Sequence, residues 1–330
     1  MTHVLVTGAG GFLGPWAVRG LHERGHRVIG CGRSAAPPDS VPRGHLHSWH
    51  QADLTNPASC IDLCRAARPE TLIHLAWITT PGEYWESPEN DLWLSAGRAL
   101  VRAFLEHGGR RVVIAGTCAE YDWDHLARGD GVADEADTPI RPASRYARCK
   151  HALYLDVAEL CRGAGATLAW GRLFFLLGPR EDPRRFVPQL ILAALGGGTP
   201  HCRSPHLVRD YMDARDAGLA LAELALSNVA GPVNIGSGVG TPLGEVARLV
   251  GERCGCNDRL ILGEESPAGQ PGILIANTAR LRYEAGFTPR YSLVQSVADA
   301  VEFWRSRPHH ATEHPVPQRP NTPSDTPARP

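Results

Sequence analysis

Tyr146 and Lys150 lie one helical turn apart in the segment "SRYARCKHALYLDVAELCRGAG". On a helix, an i,i+4 spacing puts a phenol and an ammonium on one face. A cation beside a phenol lowers its pKa toward neutrality and equips the tyrosine as a general acid or base. Thr117 closes the earlier apolar run "RRVVIAGT", where a hydroxyl at a strand end can face a ligand. Tyr-x-x-x-Lys alone also fits any surface helix. What singles it out here is the order along the chain: a glycine turn, then the hydroxyl, then the pair.

The glycine turn stands at the start, "MTHVLVTGAGGFLG". The run His3-Val4-Leu5-Val6 is long enough for a buried strand and too short for a helix. Gly8, Gly10, Gly11 and Gly14 then allow a tight turn and close packing of a following helix. A strand, a glycine turn and a helix N-terminus together offer free N–H groups to an anion, typically a pyrophosphate.

The elements that must position these groups alternate. "GPWAVRGLHERG" reads as a helix, "HRVIGCG", "TLIHLAW" and "RRVVIAGT" as strands, and "SPENDLWLSAGRALVRAFLEHGG" as a long amphipathic helix. The Tyr146 helix follows, then a strand over "TLAWGRLFFLLG". Such alternation predicts an α/β fold, a doubly wound parallel sheet with helices on both faces and its ligand at the carboxyl ends of the strands. This first unit spans residues 1–175, with residues near 207–236 as candidates to rejoin it. Residues 176–306 read as a smaller mixed α/β lobe, and a pocket between the two is the expected substrate site. Residues 307–330, rich in proline and polar side chains, read as a disordered tail that includes His309-His310.

The 330 residues are 43% hydrophobic and 21% charged, with a net charge of −1. That balance argues against nucleic acid and acidic membranes as partners. No apolar run approaches the ~18 residues of a membrane span, and no signal-like segment precedes the first strand, so a cytoplasmic location is expected. The nine cysteines include no CxxC pair, and Cys254-Gly-Cys256 makes a poor metal site. No metal is expected.

The sequence resembles the extended short-chain dehydrogenases/reductases, a Rossmann-fold family acting mostly on nucleotide sugars. The opening "TGAGGFLG" is similar to that family's TGxxGxxG fingerprint, and the likeness continues through "ADLT", "HLAW", "GTCAEYD", "SRYARCK", "GRLFFLLGPRE", "VRDYMDARDAG" and "VNIGSG". It covers roughly residues 3–305. The resemblance implies catalytic roles for Thr117, Tyr146 and Lys150, with Tyr146 exchanging a proton with a sugar oxygen that Thr117 also bonds. It implies cofactor contacts for Gly8, Gly11, Phe12, Leu13 and Gly14, an adenine pocket at Asp53 and Leu54, and a ribose–nicotinamide side along Leu75, Ala76 and Trp77. Trp77 fits a core position equally well. Tyr146 and Lys150 would also touch the cofactor, and Thr117, Cys118, Phe175 and Arg209 the substrate, Arg209 near its diphosphate.

The second strand bears on the cofactor. NAD-preferring relatives usually end it with a carboxylate for the ribose 2′-OH, whereas here Gly32 stands there, followed by Arg33 and Ser34. A guanidinium suits a 2′-phosphate, so NADP(H) is the preferred cofactor, with NAD(H) possible. Dehydratases of the family usually read Thr-Asp-Glu where this chain has Thr117, Cys118 and Ala119. What remains is the minimum for hydride transfer. The expected activity is NADPH-dependent reduction of a nucleotide-linked 4-keto-(6-deoxy)hexose, with a nucleotide-sugar 4-epimerase as the alternative and a non-catalytic NADP-binding sensor behind both. Glu120 reads as a structural carboxylate, and the helix asparagine of the family falls on Leu94. A homodimer through a four-helix bundle is also implied, with Leu92, Leu100 and Phe104 marking the shared face unless they pack on the sheet.

Overall fold

The computed structural model describes residues 1–307. Beyond Arg307 the proline-rich tail, with its His309-His310 pair, lies outside the described residues. The β-branched run forms β1 (His3–Thr7), and α1 (Gly14–Glu23) follows with Pro15 in its first turn, where a missing N–H breaks no helical bond. Next come β2 (Arg27–Gly32), β3 (Ser48–Gln51), α2 (Pro57–Ala67), β4 (Thr71–His74), α3 (Glu89–Glu106) and β5 (Arg111–Thr117). A short α4 (Trp123–Arg128) and β6 (Val132–Ala133) lead to α5 (Arg145–Gly163), β7 (Thr167–Leu173) and β8 (Phe175–Leu177). The remainder is α6 (Phe186–Leu195), β9 (His201–Cys202), β10 (Val208–Asp213), α7 (Ala214–Leu226) and β11 (Gly231–Ile235). It ends with β12 (Gly240–Pro242), α8 (Leu243–Cys254), β13 (Ile261–Leu262), β14 (Ile273–Ala276) and α9 (Leu293–Arg305).

Seven strands form one parallel sheet in the order β11-β7-β5-β4-β1-β2-β3, the doubly wound Rossmann arrangement. The strand order reverses at β1 and β4, so the crevice opens beyond Thr7 and His74. Alternation along β1 serves both faces. Val4 and Val6 pack in the cluster that includes α1 and α7, and Leu5 packs in the cluster with α2, α3 and α5. Gly20 lets α1 approach α7, since a Cβ there would stand 2.8 Å from Leu219 Cδ2.

A second, mixed sheet runs β12-β10-β14-β6, with β8 also paired to β10. Below it α6, α8 and α9 share a core of Leu177, Val187, Leu190, Ile191, Val246 and Val297. Within residues 207–236 the chain divides: β10 belongs to this second sheet, and β11 returns to the first beside β7.

Two expectations change. "GRLFFLLG" is not one strand, because Phe174 turns inward against Cys118, Tyr121 and Leu126 and the chain passes from one sheet to the other there. Leu100 and Phe104 do not mark an outer face: both are fully buried in the core over the sheet, and only Leu92, 48% exposed, stays at the surface. The reading also missed α2 and β3. β3, "SWHQ", is too polar to announce a strand, and α2 is announced only by its Asn56 cap, whose side chain accepts from the Ala58 N–H.

Candidate active site

The glycine turn is as tight as its composition demands. Gly8 has φ +66°, and the Gly11 N–H donates to Gly8 O at 2.9 Å. A Cβ on Gly14 would come within 2.3 Å of Gly8 O, and one on Gly8 within 2.9 Å of Ala76 N. Only glycine therefore lets α1 begin directly against β1 and lets the turn touch the segment after β4. Across the crevice the Thr7 hydroxyl and His74 Nδ1 are 2.7 Å apart, and the Leu75 N–H donates to Thr7 Oγ1 at 3.2 Å. Burial lowers His74 to about 3, which leaves the ring neutral.

Arg33 and Ser34 follow β2 and are exposed. Gln51 Nε2 donates to Arg33 O and Trp49 Nε1 to Ser34 O, which fixes their backbone and leaves the guanidinium at the surface. Asp53 Oδ1 accepts from the Thr55 N–H and hydroxyl, so this side chain is engaged in its own turn. Those bonds, and less strongly the charge of Arg33, hold it below the usual carboxylate range. Leu54 is buried in the core beside it.

Thr117, Tyr146 and Lys150 converge. Thr117 ends β5, and α5 carries the other two on its buried side behind a Ser144 cap. The Tyr146 N–H donates to Trp85 O at 3.0 Å, and its ring meets Tyr84 edge-on at 4.9 Å and Trp85 at 5.8 Å. Lys150 Nζ donates to Ala115 O at 2.8 Å and lies 3.9 Å from the Trp77 ring centroid. The electrostatics correct the expectation of a lowered phenol pKa. Burial first, then Tyr84, pushes Tyr146 above its ordinary range, while the Thr117 hydroxyl acts in the opposite direction. Lys150 is itself brought down to about 7 by burial.

Trp77 is a core residue that also covers Lys150, and its Nε1 donates to Asn90 Oδ1 at 2.9 Å. Asn90 in turn donates to Tyr84 O and Ser87 O. Asn90, in the first turn of α3 and one turn before Leu94, thus ties the loop over Tyr146 to Trp77. Glu120 is the structural carboxylate expected of it. One oxygen accepts from the Thr117 N–H and from Trp170 Nε1, both at 2.9 Å, and the other from Arg172 Nε at 3.1 Å. Burial works to raise its pKa, but His151, Arg172, the Thr117 N–H and Trp170 outweigh it and keep it below the ordinary carboxylate range.

Cys118 and Ala119 are buried next to Thr117, and burial pushes the Cys118 thiol up to about 12. Phe175 lies beside Tyr211 and under the Arg209 guanidinium, which is 5.5 Å from its ring. Arg209 donates to Val208 O, Pro271 O and Gln270 Oε1, all neutral acceptors, so its charge has no carboxylate among these partners. Among the described residues no three His, Cys, Asp or Glu side chains gather as metal ligands, and no helix is long and apolar enough to cross a membrane.

The chain is similar to known proteins over most of its length. Residues 4–236 match the NAD dependent epimerase/dehydratase family. The chain belongs to that family. It is 26% identical over 326 residues to a UDP-glucose 4-epimerase of Corynebacterium glutamicum, covering 90% of this chain and 93% of the relative. A dTDP-6-deoxy-L-talose 4-dehydrogenase (NAD(+)) of Aggregatibacter actinomycetemcomitans is 24% identical over 241 residues, covering 72% and 84% of the two chains. Among solved structures, MoeE5 in complex with UDP-glucuronic acid and NAD superposes with a TM-score of 0.77 at 28% identity, over 92% of this chain and 99% of that one. The protein is an enzyme of the NAD-dependent nucleotide-sugar epimerase/dehydratase type.

Proposed function

We propose that the enzyme moves hydrogen at C4 of a nucleotide-linked hexose and that its product is the C4 epimer. The observation that carries this is the convergence of Thr117, Tyr146 and Lys150 with no acid or base at positions 118 and 119. Tyr146 exchanges a proton with the oxygen on C4, and Thr117 bonds the same oxygen. Lys150 would hold the nicotinamide ribose. Dehydration needs a further acid and base, and neither a buried thiol pushed up to about 12 nor a methyl group serves. The two curated relatives described above are both named for position 4, one as an epimerase and one as a dehydrogenase.

The turn fits a dinucleotide, since side chains at Gly8 and Gly14 would collide with the backbone that brings β1, the turn and α1 together. Gly8, Gly11, Phe12, Leu13 and Gly14 would hold its pyrophosphate, and Asp53 and Leu54 would border the adenine. Leu75, Ala76, Trp77, Tyr146 and Lys150 would line the nicotinamide half. When bound, the nicotinamide accepts and returns the hydrogen of the sugar carbon. Phe175 and Arg209 would face the substrate, Arg209 offering its charge to the diphosphate. Incubation with UDP-glucose or UDP-galactose and catalytic NAD⁺ tests the reading by chromatography. Interconversion is expected, and its absence over a panel of UDP- and dTDP-hexoses overturns it.

A second reading is favoured by Arg33: net reduction of a 4-keto sugar with NADPH. The end of β2 carries an exposed guanidinium and no carboxylate, which suits a 2′-phosphate. The raised pKa of Tyr146 keeps the phenol protonated, the state that donates to a keto oxygen. Stoichiometric NADPH loss with a nucleotide-linked 4-keto-6-deoxyhexose, without epimerisation of UDP-glucose, would select this reading.

A further inference from the structure

Glu181 stands just past the turn that follows β8, and it is only 7% exposed. Its Oε2 is buried with no hydrogen-bond partner among the described residues. The residue before it, Arg180, has φ +72°, a left-handed backbone that a non-glycine residue adopts only where its surroundings impose it. The Arg185 charge acts on it, yet the two form no ion pair among the described residues; Arg185 Nη2 donates to Thr79 O instead. The Arg185 guanidinium lies 5.2 Å from the Tyr84 ring, and Tyr84 touches Tyr146. The Glu181 charge also acts on Tyr211, which packs against Phe175, and Phe175 lies under Arg209. Glu181 is thus linked to the phenol through Arg185 and Tyr84, and to the buried guanidinium through Tyr211 and Phe175.

We propose that Glu181, with Tyr211 and Arg185 around it, is a hydroxyl-binding subsite that fixes the sugar ring beside Tyr146. This rests on the nucleotide-sugar reading of the same site and names the group that recognises the ring. An unpaired buried carboxyl suits a neutral polyol better than an anion, because an anion would meet its charge or its lone pairs. Burial holds Glu181 up to about 8, so at neutral pH it is an acid that offers one donor and one acceptor, matching a hydroxyl in both roles. The aromatic rings of Tyr84, Tyr211 and Phe175 would meet the C–H face of the same ring.

The test is calorimetric titration of the NAD-saturated protein with UDP-glucose and, separately, with UDP, repeated with dTDP-glucose and dTDP. The expected result is that the wild type binds the sugar nucleotide more tightly than the bare nucleotide. Glu181→Leu should weaken the sugar nucleotide at least tenfold and leave the bare nucleotide within twofold, which also shows that the variant is folded. Glu181→Gln, which keeps a donor and an acceptor, should stay within about threefold of wild type. Unchanged sugar-nucleotide affinity in Glu181→Leu, or equal affinity of the wild type for both ligands, overturns the subsite while the nucleotide reading stands. Binding of neither ligand by the wild type overturns both.

Discussion

Lys150→Met should stabilise the fold while abolishing turnover. The ammonium is 3% exposed, and burial brings its pKa from 10.5 down to about 7. That difference amounts to about 5 kcal/mol between the charged and neutral forms. The favourable effect of the Glu120 charge is already contained in it, since Glu120 acts to raise the value. Methionine gives up the bond to Ala115 O and the contact with the Trp77 ring, together worth about 3 kcal/mol for a charged donor. The expected net gain is about 2 kcal/mol at pH 6. The unfolded chain keeps this lysine protonated up to about 10.5, and the folded chain releases the proton near 7. Wild-type stability from this group therefore rises with pH between those values, and the advantage of the variant shrinks over the same window. Urea unfolding of the cofactor-free proteins at pH 6 and pH 9.5 measures both quantities. A variant less stable than wild type at pH 6, or an advantage equal at the two pH values, refutes the reasoning.

Tyr146→Phe should lower kcat by roughly 10²- to 10⁴-fold with cofactor affinity within about twofold, read by steady-state kinetics and fluorescence titration. Gly14→Ala should abolish cofactor binding and lower the urea midpoint, because its Cβ meets Gly8 O and Ala9 O below 2.5 Å with only backbone to displace. Arg33→Ala should erase most of any preference for NADPH over NADH, expected at about tenfold, or ~1.4 kcal/mol. Equal use of the two cofactors by the wild type removes the argument from Arg33.

What the sequence disclosed was mostly local. The glycine turn and the i,i+4 pair each act within a few residues, and the structure forms them where they were read. The inner strands of the sheet were legible from alternation, because their apolar runs are continuous and both faces of them are covered, whereas the polar edge strand β3 was not. The roles of Asn90 and Glu181, and the partners of Glu120, were not. Glu120 meets Trp170 and Arg172 from 50 and 52 residues away, and the next link, Tyr121 to Asn234, spans 113. No spacing rule connects such partners; only the closure of β5 against β7, and of β7 against β11, brings them together.

Glu120 shows what that closure changes. One position earlier, at Ala119, a carboxylate would stand where the family's dehydratases carry theirs. At 120 the side chain instead completes a capping box with Thr117, accepting the Thr117 N–H while Thr117 Oγ1 accepts from the Ala119 N–H. The capping bond and the bonds from Trp170 and Arg172 engage both its oxygens, so it has little capacity left to trade protons with a substrate. Its charge reaches Lys150, which it helps keep protonated against burial, and it holds the strand end that presents the Thr117 hydroxyl. A carboxylate moved one residue along the chain thus passes from the reacting atoms to the frame beneath them, and hydride chemistry is what the remaining groups can perform.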